Sequence, residues 1–388
     1  MSTLKVNAIR GTGASSDAIS VNSTDGTCTV KATNNLSNRN LVINGGCTVA
    51  QRATSATVSA NGYHTVDRFY IGTGGEDEDV TAAQGTVASG TTPYNLGFRN
   101  CLKVTNGNQS SGAGTHDYCE IMYQVEAQDV ANSGWNYTSA SSYVTLSFWV
   151  KSSVAQNFYG FFLTRDGTNR NYPFETGSLS ADTWTKITKT IPGSTNVQFD
   201  NNNGQGITLE ILPFYGTNFT NNSSTVNTWI NWDGNAACPD NTSTWWTTND
   251  ATFEITGLQI EVGDVATDFE HRTYGDELAR CQRYFRRDGG GQYTGYGLGL
   301  INASSGGIWT MPLDPPMRAA PTITNNGNVR LYDGSANSNV TGWNTNRSTA
   351  KNFWIEPQTG SSSFTAGRAF IVGNNDDTSG YLNLSAEL

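Results

Sequence analysis

The chain has 388 residues, of which only 14% are charged and 36% hydrophobic, so its polarity comes from Ser, Thr, Asn and 42 Gly rather than from charge. With 11% aromatics, this composition predicts short strands joined by tight turns and excludes a disordered chain, which needs few aromatics and high net charge. The formal net charge is −10 and no Lys/Arg stripe is present, which excludes a nucleic-acid footprint; only Arg283, Arg286 and Arg287 cluster, and they are expected on a solvated face of a short helix.

The first 50 residues read as short strands at 4–9, 18–21 and 28–32, with the turn signal Ser23-Thr24-Asp25-Gly26 between the last two. They hold too few apolar residues for a core of their own, so the segment is expected to dock elsewhere. Leu4, Val6 and Ile9 are its candidate attachment residues. From about residue 60 to 270 the pattern is a series of aromatic-rich strands. Val144, Leu146, Phe148 and Val150 alternate with Thr145 and Ser147. Phe253 and Ile255 share one parity and Leu258, Ile260 and Val262 the other, a slip that predicts a β-bulge at Thr256-Gly257. Such strands, with no helices between them, predict an antiparallel sandwich or jelly roll.

One helix is expected, with Thr273 as N-cap, Asp276 at N3, and Leu278, Cys281 and Phe285 as its apolar stripe. Gly289-Gly290-Gly291 then marks a hinge. The fold class is therefore mainly β. Residues 1–55 form an N-terminal docking or oligomerisation arm and 56–272 a jelly-roll β-sandwich. Residues 273–291 form the short helix and hinge, and 292–388 a C-terminal β-sandwich domain.

Few constellations carry chemistry. No phosphate loop, nucleophile elbow or zinc spacing occurs, so no cofactor, metal or catalytic residue is expected. The six cysteines are scattered at long intervals, and free buried thiols are expected. Glu76-Asp77-Glu78-Asp79 has no ligand spacing and is read as a solvated loop, and Asp200-Asn201-Asn202-Asn203-Gly204 as a polar turn. Residues 1–20 show no secretory signal and no apolar run approaches the roughly 20 residues of a membrane span, so cytoplasmic synthesis without membrane insertion is expected. The most informative feature is an aromatic cluster at 215–250: Tyr215, Phe219, Trp229, Trp232, Trp245 and Trp246. Flat rings stack on the apolar faces of sugars, with Asn and Asp nearby for the hydroxyls. The competing and more common fate of such rings is a core or a subunit interface. A glycan hydrolase would need two carboxylates flanking the scissile bond, and no motif among the 33 Asp and Glu selects a pair.

Three stretches resemble structural and tail-fibre proteins of marine and cyanobacterial phages. They are Met1-Ser2-Thr3-Leu4-Lys5-Val6-Asn7; residues 40–46 with 49–52 and 63–69; and residues 257–263 with 269–278 and 281–285. The last residues, 382–388, also look like a fibre C-terminus. Cys47 departs from the family, in which a methionine commonly follows the Ile-Asn-Gly stretch. The central unit resembles jelly-roll carbohydrate-binding modules. The resemblance implies a virion appendage made in the bacterial host, commonly a homotrimer. Its N-terminal arm would attach to other tail proteins, and it would contact a host-surface glycan. The alternatives are a capsid decoration or head-appendage protein and, less favoured, a tailspike glycan hydrolase.

Overall fold

Alternation of apolar with Thr, Ser and Gly, punctuated by turn residues, yields strands that pair in chain order wherever a tight turn joins them. The computed structural model describes residues 38–360 and 363–388, and in the arm residues 6, 8–10, 12–13, 17–21, 23–24 and 28–30. Two antiparallel sheets form the central β-sandwich, of jelly-roll type. The six-stranded sheet runs in the order Thr185–Pro192, Tyr143–Ser152, Thr252–Val262, Asn100–Thr105, Thr81–Thr86, Ser55–Thr57. The seven-stranded sheet runs Ile230–Asn231, Arg170–Ser178, Asn157–Thr164, Gln205–Tyr215, Tyr118–Glu126, Phe69–Gly74, Gly62–Tyr63.

Val144, Leu146, Phe148 and Val150 of one sheet and Ile207, Leu209 and Ile211 of the other share a single buried core. Phe158 and Phe253 meet edge-on across the sheets, their rings 4.9 Å apart. Each such side chain contributes about 1.5–3 kcal/mol by leaving water. The parity slip in Thr252–Val262 is a bulge: Ser147 pairs with Gln259 but Trp149 with Thr256, and Gly257 takes the extra residue at φ +65°. Thr145 and Ser147, on the opposite face, are buried as well because further chain covers that face of the sheet. Part of that cover is the segment 267–270: the Glu270 N–H donates to the side-chain oxygen of Gln259, the partner of Ser147. Residues 38–54, grouped above with the arm, supply Val42, Cys47 and Val49 to the buried interior.

In the arm, Ala8–Ile9, Ile19–Val21 and Cys28–Val30 form a three-stranded antiparallel sheet. Val6 and Ile9 are exposed, whereas Leu4 lies outside the described residues. The helix Tyr274–Gln282 starts at Thr273, whose hydroxyl accepts from the Asp276 N–H. It ends before Phe285, which opens a strand instead.

The C-terminal unit was expected as a sandwich. Gly295–Ala303, Gly306–Pro312, Asn352–Thr359, Asn337–Asn344, Val329–Tyr332 and Ala369–Asn374 instead close into a barrel. Closure removes the two free edges that an open sheet of these strands would leave. Trp309, Leu331, Phe353, Ile355, Phe370 and Val372 fill its interior. A second sheet, Phe285–Gly289, Tyr381–Ser385, Thr322–Asn326, ties the barrel to the sandwich.

The three clustered arginines serve this junction rather than a solvated helix face. Arg283 forks onto the buried Glu126 carboxylate at 2.7 and 2.8 Å. Arg286 and Arg287 lie on the strand that follows. Arg68, only 1% exposed, stacks its guanidinium 3.5 Å over Tyr284 and pairs with Glu387. Arg52 lies 3.5 Å over Phe285 and bonds the other oxygen of Glu387 at 3.1 Å. The glycine run is likewise tied down: the Gly290 N–H donates to Gly380 O at 3.0 Å.

Candidate functional site

The strand Gln205–Tyr215 sends Ile207, Leu209 and Ile211 into the core and leaves Thr208 and Glu210 on the outer face of the seven-stranded sheet. Its register against Tyr118–Glu126 then slips between Ile211 and Phe214, around Pro213, which has no N–H to give the ladder. The slip returns Phe214 to the core and turns Tyr215 outward. The Tyr215 hydroxyl thereby comes between two carboxylates. It lies 3.0 Å from Glu210 Oε2 and closer still to Glu120 Oε2, on the neighbouring strand.

A long loop, residues 216–241, folds over this face and buries Ala237 and Cys238 against Phe161 and Leu163. Phe219 packs on Tyr215 and edge-on against Tyr118, with centroids 5.4 and 5.6 Å apart. Trp232 is half-buried and tilted over Phe161 at 5.4 Å. Between the loop and the sheet opens a cleft of about 380 Å³, with Tyr215, Phe219 and Trp232 as walls, Glu120 and Glu210 at its floor, and Gly234 and Asn235 at its edge. That is the size of a small-ligand site.

The floor has unusual electrostatics. Burial pushes the Glu210 carboxyl well above its ordinary value, and the neighbouring Glu120 charge pushes further, while Arg165 works against both. Burial also raises Glu120, against the hydrogen bonds from Tyr215 and Glu210. Tyr215 is raised by burial and then by the two carboxylates. Among the described residues, Arg165 is the one cation paired with the floor: its Nη2 is 3.7 Å from Glu210 Oε1, and its Nε donates to Thr208 at 2.9 Å.

Of the six aromatic residues singled out in the sequence, Tyr215, Phe219 and Trp232 converge on this cleft. The other three do not. Trp245 and Trp246 have no exposed surface, so no ligand can reach them; Trp246 stacks on Phe214 at 5.3 Å and its indole N–H donates to Gly112 O at 3.1 Å. Trp229 packs against Tyr172 at 5.2 Å and donates to Pro192 O at 2.7 Å, at the edge of the main core.

Sequence reasoning missed Glu120 and Glu210. The available signal was a carboxylate at an outward parity in each of two strands rich in apolar and aromatic residues. The Glu76–Asp79 carboxylates are engaged locally: Glu76 accepts from Thr73, Asp77 from the Ser111 N–H and Glu78 from the Asn108 N–H. Asn203, in the polar turn, donates to the Arg318 carbonyl and so touches the C-terminal unit.

The molecule is thus a mainly β chain built around a jelly-roll sandwich. No protein-family model and no curated protein sequence matches it. Among solved structures it is similar to the enzymatically active domain of tailspike protein 4 of bacteriophage CBA120, at 9% identity and TM-score 0.30 over 58% of this chain. The match spans only 21% of the tailspike chain. It is also similar to a structure described as CBM4, at 12% identity and TM-score 0.29, over 57% of this chain and 98% of that one. A third is a putative sugar-binding protein from Bacteroides thetaiotaomicron, at 11% identity and TM-score 0.29, over 58% of this chain and all of the other.

Proposed function

We propose that the chain is a non-enzymatic subunit of a phage virion appendage, a tail fibre or tip, whose central sandwich holds a host-surface glycan in the cleft of Tyr215, Phe219 and Trp232. The observation that carries the binding half is the combination of aromatic walls with hydrogen-bonding carboxylates in one concave opening on a sheet face. Rings take the apolar faces of a pyranose, and the half-buried Glu120 carboxyl takes its hydroxyls in hydrogen bonds. The virion half rests on the sequence stretches at 1–7, 40–69 and 257–285, with the arm as the attachment end and a homotrimer as the assembly.

A hydrolase is the second reading, favoured by the paired carboxylates, since glycosidases place two such groups across the scissile bond. Binding is preferred because Glu210 is 4% exposed and both of its oxygens are engaged, one by Tyr215 and the other facing Arg165. Neither is left free to attack an anomeric carbon or protonate a leaving group.

The test is retention of the protein on immobilised host envelope polysaccharide, with Trp232→Ala beside wild type and reducing ends assayed in the eluate. Wild type is retained, the variant is released early, and no reducing ends appear. Steady release of reducing ends would replace the binding reading with the hydrolytic one. Gold labelling of intact particles with an antibody to the barrel separates tail from capsid.

A further inference from the structure

The Tyr215 hydroxyl carries one hydrogen yet lies within hydrogen-bond distance of two carboxyl groups. It can donate to only one of them. The second contact is a hydrogen bond only if the other carboxyl carries a hydrogen, since the phenol oxygen and a bare carboxylate oxygen would otherwise meet lone pair to lone pair. One extra proton on the floor would satisfy both contacts, and burial displaces both carboxyls in the same upward direction.

The charge count gives that proton a meaning. Glu120 and Glu210 bring two negative charges and Arg165 one positive charge. Tyr70, whose ring shares the outer face with Glu120, and Tyr118 are neutral phenols held protonated by burial. The loop contributes Phe219, Trp232, Gly234 and Asn235 to the lining of the cleft, and its exposed Asp233, between Trp232 and Gly234, adds a negative charge outside that lining. Without the proton, the floor is one positive charge short of neutral. The rings of Trp232, Phe219 and Tyr215 line the same cleft, and aromatic rings attract a cation through their quadrupoles.

We infer that the cleft selects a glycan carrying a free amine, a hexosamine whose ammonium reaches the half-buried Glu120 carboxyl and replaces the extra proton of the Glu120–Tyr215–Glu210 cluster, and that it rejects uronic-acid and other anionic sugars. This rests on the glycan reading above. Proton exchange keeps the charge balanced: the ammonium enters, one carboxyl proton leaves to solvent, and Arg165 stays on Glu210. An anionic sugar would meet two carboxyls and gain nothing from the rings.

The experiment compares glucosamine hexamer, N-acetylglucosamine hexamer and a hexuronate oligomer by titration calorimetry at neutral pH, in two buffers of different ionisation enthalpy. The glucosamine hexamer should bind at least about tenfold more tightly than its acetylated counterpart, a gap of about 1.4 kcal/mol. It should release about one proton per site, by the one-for-one exchange just described. The uronate should show no binding. Glu120→Gln and Glu210→Gln should each remove the preference and the proton release, and two variants guard against one of them failing to fold. Equal or tighter binding of the acetylated or uronate oligomer, abolished by Trp232→Ala, would overturn this inference and leave the glycan reading standing. No binding of any of the three, nor of a broader glycan panel, would overturn both.

Discussion

Two tryptophans fourteen residues apart in the chain carry opposite consequences. Trp246 is stacked on Phe214 with no exposed surface, so Trp246→Ala opens a core cavity and should cost about 3–5 kcal/mol. Its melting temperature should fall while any folded fraction adsorbs normally to host cells. Trp232 is half-buried, and Trp232→Ala forfeits mainly its packing on Phe161, about 1 kcal/mol, but removes a wall of the cleft. It should melt near wild type and adsorb poorly. Equal early melting of both variants with normal adsorption would make the cleft structural only. Glu210 links the same site to pH. Its folded-state value lies above its unfolded one, so the native protein binds more protons. The associated stability is present in full below the ordinary carboxylate range and is lost as pH rises through the raised value. Chemical denaturation across that window should show wild type losing stability with rising pH and Glu210→Gln staying flatter. The cysteines need no such window. Burial pushes the Cys47 and Cys238 thiols up to about 12, and all five cysteines with described side chains are free and buried. An aromatic disulfide reagent should therefore find almost no thiol in the native protein, and the same count with and without reductant after denaturation.

Secondary-structure elements differ in how plainly the sequence announces them. The bulge at Gly257 is visible because apolar parity flips around a residue that can take φ +65°. A Cβ there would meet Phe98 at 2.7 Å, so Gly257→Ala should destabilise by more than about 1 kcal/mol, read by urea denaturation. The slip at Pro213, which creates the site, is silent: Leu212 is apolar on either face, so alternation gives no warning. The helix start at Thr273 is legible from its capping pattern, and its stop is not, because Phe285 continues the apolar spacing while pairing with Ser385 as a strand. Closure of the barrel was equally hidden. It depends on register between strands far apart in the chain, such as Gly295–Ala303 with Ala369–Asn374, which local pattern does not encode. Glu120 and Glu210 passed unnoticed for a related reason. A charged residue at an outward parity reads as a solvated face until a distant loop is seen to fold over it.

On the scale of the whole molecule, the barrel is bound to the sandwich by charges removed from water. Glu387→Ala would leave Arg68 buried without its carboxylate, which should cost about 3–5 kcal/mol and open the segment 286–291 to protease. In wild type, limited proteolysis should leave 286–291 uncut, so that the sandwich and the entry strand of the barrel stay in one fragment. A wild-type cut within 286–291 would show that the glycine run is the hinge its composition suggested.

The return of the chain to this junction also determines how the barrel would carry load. Its entry strand Phe285–Gly289 and its exit strand Tyr381–Ser385 lie side by side, with Arg68 and Arg52 gripping Glu387 just beyond. A pull applied to the far end of the barrel would reach the sandwich through both strands together. The five paired positions from Phe285 with Ser385 to Gly289 with Tyr381 would share that tension, instead of unzipping one after another from a single tether.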